Sequence, residues 1–195
     1  MRIVGTATKN FSPDTAKIYM NLDAVGKTAD LAKSIFTNKS TLLTNIIKQL
    51  GFNPEDLRTE HFFVDKNYEY NNNKRVQNGF KADCTYSLVI DLDYQVLEQL
   101  ITSLSQALEM RISYDVLLKE AKKEEQVVLD LAIADARNKA EVVAKSCGVT
   151  LGDIVGINYE EAPSFIGLRA VNSESNLAPS DVTITKTIEL MWEIK

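Results

Sequence analysis

The chain has 195 residues and a mass of 21.8 kDa, which is enough for one domain or two small ones, and its 45% hydrophobic content can fill a core. Its formal net charge is −5 and no block of Lys and Arg is present, which argues against nucleic acid or an anionic membrane surface as the main partner. No segment approaches the ~20 apolar residues of a membrane span. The N-terminal MRIVGTATKNFSPD lacks the apolar core of a secretory signal, so we expect a cytoplasmic protein, with a chain that begins after a removed export segment as the alternative.

Two strands are predicted at the start of the chain, over residues 2–10 and 16–25. The second alternates apolar and polar side chains, which is typical of a half-buried strand, with Ala16, Ile18, Met20, Leu22 and Ala24 on one side. Between the strands lies Ser12-Pro13-Asp14, a turn sequence, because Pro presets its own backbone angle and Asp can bond the backbone beyond it. We therefore expect the two strands to form a hairpin.

A helix is predicted over residues 30–50, because apolar residues recur at helical spacing and Gly51 follows. Thr28 or Asp30 is expected to cap its start. A strand over residues 58–70, a tip at 71–74 and a return strand from Val76 to Ile90 predict a second hairpin. Asp93 is then expected to cap a second helix over residues 94–108.

A short strand over residues 111–116 precedes the longest helical pattern of the chain, which runs from Leu118 to a predicted cap at Gly148. One side of this helix is small and apolar, and small side chains let a helix lie close to its neighbour. The side consists of Leu129, Ala132, Ala136, Ala140, Val143, Ala144 and Cys147. Strands are predicted over residues 153–159 and Val182–Ile194, and the second is expected to be a central or barrel-closing strand.

These elements predict an α+β fold, with a largely antiparallel sheet of about seven strands and three helices packed on it. The order along the chain is ββαββα-β-α-ββ. We expect a single domain spanning residues 1–195, or two intimately packed halves of about residues 1–110 and 111–195.

The long connection over residues 160–180 contains apolar side chains among polar ones. Exposed apolar groups in a loop often mark a contact surface, so Phe165, Ile166, Leu168 and Val171 form a candidate interaction surface. The same residues are equally compatible with a loop that folds back over the end of the sheet. Disorder around residues 172–176 is a third interpretation.

No constellation of residues indicates catalysis, a metal site or a cofactor. His61 is the single histidine, and no GxSxG, GxGxxG or GxxxxGK pattern occurs. Asp91 and Asp93 are explained by helix capping, whereas Glu124 and Glu125 are predicted on the solvent-exposed side of the long helix. Cys84 and Cys147 are interpreted as two buried small side chains, with a disulfide as the alternative.

Charged residues in the long helix permit two interpretations. Asp135 with Lys139, and Arg137 with Glu141, have the spacing of ion pairs on a solvated helix face. Alternatively, Asp135 and Arg137 anchor a structural contact, such as a pairing of Arg137 with a loop carboxylate or a neighbouring subunit.

The long helix also carries a resemblance to a known family. Its AIADARNKAE sequence at residues 132–141, followed by Ala144, Gly148-Val149 and Leu151-Gly152, resembles the signature of the SIMPL-domain family. Other matching fragments occur in the same order along the chain, at Pro13-Asp14 with Ala16, Leu50-Gly51, residues 56–59 ending in Thr59, and residues 79–82. The motif positions are Pro13, Asp14, Gly51, Thr59, Asp135, Ala136, Arg137, Lys139, Ala140, Gly148 and Gly152.

The family includes bacterial envelope proteins and a mammalian protein associated with a receptor-linked kinase, and it has no agreed catalytic residues. The resemblance implies a non-enzymatic protein that self-associates, in some members as rings, with a link to stress tolerance in others. We therefore predict a homo-oligomeric scaffold or protein-interaction module that needs no cofactor. The alternative is a small-ligand binding protein with an apolar pocket between helices and sheet.

Overall fold

The computed structural model describes residues 1–71, 74–160, 168–170 and 181–195. The strands are β1 (Arg2–Phe11), β2 (Thr15–Gly26), β3 (Arg58–Asn71), β4 (Lys74–Asp91), β5 (Met110–Leu117), β6 (Leu151–Asn158), β7 (Leu168–Ala170) and β8 (Val182–Ile194). The helices are α1 (Ala29–Gln49), α2 (Tyr94–Ala107) and α3 (Ala121–Cys147). The predicted α+β class, three helices, seven strands and their order are confirmed, and the three-residue β7 is additional.

The strands are distributed over two sheets, with the orders β1-β8-β6 and β3-β4-β2-β5-β7. The predicted β3–β4 hairpin is confirmed, and β8 is central in its sheet. The predicted hairpin of β1 with β2 is wrong, because β1 pairs with β8 and β2 pairs with β4. Alternation along a strand reports which face is buried, but it contains no information on which strand lies alongside.

Residues 15–116 form one compact unit. Its core lies between one face of the five-stranded sheet and the helices α1 and α2, and alternate β2 residues (Ile18, Met20, Leu22) are fully buried there. Thr28 caps α1 by accepting a hydrogen bond from the Leu31 N–H, and Asp93 caps α2, as predicted.

The other unit contains residues 1–14, 117–160 and 181–195. Helix α3 crosses the sheet formed by β1, β8 and β6, and it ends at Gly148 in the left-handed conformation, with φ 69°. Its alanine row, Ala132, Ala136, Ala140 and Ala144, is buried as predicted.

Two residues predicted on the buried side of α3 are exposed, namely Val143 and Cys147. They are rotated from Ala144 by about 100° and 60° around the helix, which places them on the flank of the alanine row. Cys147 is therefore not the buried side chain that we expected, whereas Cys84 is buried, and both are free thiols. None of the helices in the described part of the chain is both long and apolar enough to cross a membrane.

Candidate functional site

The signature residues of α3 form a contact with β1, an edge strand of the three-stranded sheet. Asp135 Oδ2 accepts a hydrogen bond from the Thr6 backbone N–H at 2.9 Å. Lys139 Nζ bonds Asp135 at 2.6 Å and reaches the Val4 carbonyl at 3.4 Å. The N–H of Thr6 and the carbonyl of Val4 lie two residues apart and therefore point to the same side of the strand. Asp135 and Lys139 thus occupy backbone groups that another strand would otherwise bond.

The pKa of Asp135 is lowered, first by the Lys139 ammonium and then by the Thr6 N–H, because both favour the ionised carboxylate. The expected ion pair of Asp135 with Lys139 is present, and it is part of a structural contact as well as a helix-surface pair. Arg137 has no ion pair among the described residues, so the expected pairing of Arg137 with Glu141 does not form there.

Gly5 explains how α3 comes so close to β1. A Cβ atom at Gly5 would lie 2.7 Å from the Ala136 Cβ and would also collide with the Ala132 carbonyl. Glycine on the strand and alanine on the helix therefore form one close-packed crossing. Ala132 and Ala136 of the signature have this packing role.

The other motif positions lie at ends and turns. Asp14 accepts a hydrogen bond from the Lys119 N–H at 2.8 Å, and its own N–H bonds the Leu117 carbonyl at 3.2 Å. Gly51 follows α1 with φ 88°, Pro13 precedes β2, Thr59 lies in β3 and Gly152 lies in β6. Ala140 is buried in the core beneath α3.

Of the candidate interaction surface, Phe165, Ile166 and Val171 lie outside the described residues. Leu168 begins β7 at one edge of the five-stranded sheet, and its side chain is likewise not described. The role of this surface stays a prediction.

Among the described residues, strand β6 forms the second edge of the three-stranded sheet. It carries Val155 and Ile157, which are 60% and 66% exposed. The pairing of β6 with β8 is irregular between Leu151 and Gly156, where the register shifts. Residues Gly156–Asn158 pair with β8 regularly. β6 contains neither Lys nor Pro, the residues that commonly protect an edge.

A polar groove of about 910 Å³ lies on the five-stranded sheet, on the face opposite α1 and α2. It is lined by Tyr19, Asn21 and Asp23 of β2, Lys81, Asp83 and Thr85 of β4, and Glu109 to Ser113 with Asp115 at β5. These residues were missed because each strand by itself shows only a row of alternating polar side chains. The strand order places the rows side by side.

Hydrogen bonds hold the floor of this groove. Asn21 donates to Asp83 at 3.0 Å and to Thr85 at 3.1 Å, and Lys81 bonds Asp23 at 2.8 Å and Asp83 at 3.0 Å. Asp23, and to a lesser degree Asp83, raises the pKa of Lys81 although partial burial lowers it. Glu109 and Asp115, by contrast, have no ion pair among the described residues.

A smaller apolar pocket of about 300 Å³ lies between α1 and the strands β3 and β4. Its lining includes Phe36, Phe62, Cys84 and Tyr86, and the rings of Phe36 and Phe62 are 5.1 Å apart. Burial raises the pKa of the Cys84 thiol, which disfavours the reactive thiolate.

Two polar residues have partners that the sequence did not indicate. Glu125 does not remain on the wet side of α3, because its carboxylate lies 2.6 Å from Nζ of the buried Lys186 on β8. His61 lies at the edge of the five-stranded sheet, 3.3 Å from the Thr85 hydroxyl. No group of three or more His, Cys, Asp or Glu side chains in the described ranges has the arrangement of a metal site.

Comparison with known proteins agrees with the signature described above. Residues 1–192 match the SIMPL family, which is described as a protein of unknown function (DUF541). An uncharacterized protein YggE from Edwardsiella ictaluri (strain 93-146) is 28% identical over 160 residues, which cover 80% of this chain and 65% of that relative. The match thus leaves about a third of the relative's own length uncovered. The chain belongs to the SIMPL family.

Proposed function

We propose that this SIMPL protein is a non-enzymatic scaffold or protein-interaction module that associates with itself through the β6 edge of its three-stranded sheet. The observation that carries the proposal is the pair of exposed apolar side chains, Val155 and Ile157, on an edge strand. An edge strand presents unpaired backbone N–H and carbonyl groups that another chain can bond. Apolar side chains on the same strand add area that is buried on pairing.

The two edges of this sheet differ in how they are protected. On β1, Asp135 and Lys139 occupy backbone groups of Thr6 and Val4. β6 offers no charged side chain other than Asp153 near its start. The β6 edge is therefore the better surface for pairing with a second β6, which gives a two-fold symmetric contact.

The candidate surface of Phe165, Ile166, Leu168 and Val171 follows β6 closely in the chain. In this proposal these apolar residues extend the contact that β6 begins. Deletion of residues 162–178 tests this part separately: it removes these residues together with β7 but leaves β6 itself intact.

The test measures the solution mass by light scattering at tens of micromolar protein. We expect a defined oligomer for the wild-type chain and a shift toward 21.8 kDa for the Val155→Lys, Ile157→Lys double variant. Val142→Lys is the matched control, because Val142 is 64% exposed on α3 in the same unit. A monomeric wild-type chain, or a double variant with unchanged mass, contradicts the proposal.

A second candidate function is the binding of a small apolar ligand in the pocket of Phe36, Phe62, Cys84 and Tyr86. The pocket is at the lower end of the volumes found for ligand sites, and its lining includes three aromatic side chains, Phe36, Phe62 and Tyr86. An environment-sensitive apolar dye is the probe. We expect its fluorescence to rise with the wild-type chain and to be lost in a Thr37→Phe variant that fills the pocket, with the exposed Thr41→Phe on the same helix as control. Equal dye fluorescence in all three proteins excludes this candidate.

A further inference from the structure

The β3–β4 hairpin extends beyond the rest of its sheet. Pairing of β2 with β4 ends at Gly26 and Phe80, whereas β3 and β4 continue to pair as far as Asn71 and Lys74. We call residues 66–71 and 74–79 the arm. In the described part of the chain its strands pair only with each other, and its described side chains are exposed or half-buried.

The backbone conformation at the base of the arm turns the hairpin away from the rest of the sheet. Gly79 has φ 92°, a left-handed conformation, and a Cβ there would collide with the Gly26 carbonyl. The register of β3 with β4 shifts at this point, between Lys66 and Tyr68. A bulge of this kind increases the local twist and turns a ribbon away from its neighbours.

One face of the arm carries residue types that are enriched at interfaces. Tyr70 is directly opposite Arg75 and is 80% exposed, and Tyr68 lies two residues before it on the same face. The Arg75 guanidinium lies 3.7 Å from the centroid of the Tyr68 ring. Tyr and Arg contribute disproportionately to binding energy when they are buried at an interface.

A two-stranded ribbon with exposed faces is only marginally stable in water. The arm buries little against its own chain, so a partner surface would stabilise it. The arm is also basic, since Lys66, Lys74 and Arg75 outnumber Glu69, in a chain whose net charge is −5.

The polar groove has the complementary charge. Four carboxylates (Asp23, Asp83, Glu109 and Asp115) face two cations (Lys81 and Arg111) along its lining. Lys81 is held by Asp23 and Asp83, which leaves the carboxylates of Glu109 and Asp115 available to an incoming cation.

The arm cannot enter the groove of its own chain. Lys81 lines the groove, and Arg75 lies six residues away along the same strand, which corresponds to about 20 Å at ~3.3 Å per residue. A continuous strand does not fold back over that distance, so an arm that enters the groove must belong to another molecule.

We propose that the arm of one copy docks into the polar groove of a second copy, with Lys74 and Arg75 near Glu109 and Asp115. This inference rests on the proposed self-association and supplies a second contact. Because arm and groove are different surfaces, the contact closes either as a reciprocal dimer, in which each arm enters the other copy's groove, or as a head-to-tail ring or open chain of subunits.

The experiment reverses the charges of the arm and of the groove in separate variants, and then in one chain, where assembly should be recovered. The arm variant is Lys74→Glu with Arg75→Glu, and the groove variant is Glu109→Lys with Asp115→Lys, which leaves Asn21, Lys81 and Asp83 in place. We expect each variant to weaken assembly about tenfold or more, as measured by the concentration dependence of the light-scattering mass. Combining all four changes in one chain restores the wild-type mass, because the two charge signs are exchanged together.

Lys122→Glu with Lys145→Glu is the matched control, since it reverses two exposed cations on α3 without touching arm or groove. Circular dichroism establishes that every variant is folded. An unchanged mass of the arm variant, or failure of the fourfold variant to recover, overturns the arm contact. If the arm contact is overturned but the Val155→Lys, Ile157→Lys double variant still dissociates, the β6 edge is the contact that holds the oligomer together. A monomeric wild-type chain overturns both.

Discussion

Asp135 joins α3 to the edge strand β1 through a charge-assisted hydrogen bond from the Thr6 N–H and an ion pair with Lys139. The pKa of Asp135 is lowered by these two partners. A carboxylate with a lowered pKa in the folded state stabilises the fold fully above its ordinary value of about 3.9. That stabilisation is lost as the pH falls through the lower folded value.

We therefore expect Asp135→Asn to lower the Tm at pH 7, where the wild-type carboxylate is ionised. The difference in Tm between the two proteins should narrow as the pH falls below about 4, because the carboxyl group of the unfolded wild-type chain then takes up a proton, and the folded carboxylate follows at lower pH. Thermal unfolding followed by circular dichroism between pH 7 and pH 2 measures this. Asp130→Asn is the control on the same helix, where Asp130 accepts a hydrogen bond from neutral Gln126. A Tm difference that stays constant with pH would contradict the role given to Asp135.

Gly5 allows a second test of the contact between α3 and β1. Gly5→Ala places a methyl group against the Ala132 carbonyl and the Ala136 Cβ, and rigid neighbours of this kind cannot move aside. We expect a loss of about 1–3 kcal/mol in the free energy of unfolding, measured by urea denaturation. At Gly156 the added methyl group meets the flexible end of Met191, so Gly156→Ala should cost less. Equal losses for the two variants would show that the close crossing of α3 and β1 is not the cause.

At the scale of elements, α3 is also joined to β8 by a buried ion pair. Lys186 has a side chain only 5% exposed, and its Nζ lies 2.6 Å from Glu125 on α3. Burial by itself would lower the pKa of Lys186, but the Glu125 carboxylate together with a smaller contribution from Tyr159 outweighs it, and the pKa is raised. A partly buried pair of this kind depends on both partners, because removing one leaves the other charge poorly solvated.

Lys186→Met is therefore expected to reduce the free energy of unfolding by about 3 kcal/mol, near the lower limit for buried pairs because Glu125 retains some solvent contact. The double variant Lys186→Met, Glu125→Leu should recover most of this loss, since no unpaired charge remains. Lys123→Met breaks the exposed pair with Glu120 and serves as control, with an expected change within about 0.5 kcal/mol. A double variant as unstable as Lys186→Met would contradict the explanation.

At the scale of the whole molecule, one unit is inserted into the chain of the other. Residues 14 and 117 are directly hydrogen bonded at 3.2 Å, and residues 15–116 between them have a core of their own. β1 belongs with α3 and β8 although more than 100 residues separate them in sequence. This arrangement predicts which parts of the chain fold alone.

A fragment of residues 15–116 should unfold cooperatively by itself. Residues 117–195 alone should not, because they lack β1, which pairs with β8 along ten residues and packs beneath α3 at Gly5. Joining residues 1–14 directly to residue 117 should restore a cooperative transition, and thermal unfolding by circular dichroism compares the three chains. A cooperative transition in residues 117–195 without β1 would disprove this account.

The elements were predictable because each depends on local spacing. Alternation identified β2 and β8, the alanine row identified the buried side of α3, and Gly148 marked the end of α3. The capping role of Asp93 was also visible, because a cap bonds a backbone N–H only two or three residues away.

Partners that are distant in the chain were decided only by the tertiary structure. The spacing of Asp135 and Lys139 predicted their ion pair, but the bond to Thr6 spans 129 residues. Likewise, Asn21 and Asp83 were polar positions in separate strands, and only their pairing makes them the floor of one groove. Helix and strand periodicity is enough to predict which side of each element is buried. Which elements meet, and therefore where the groove, the open edge and the arm lie, depended on long-range packing that periodicity does not encode.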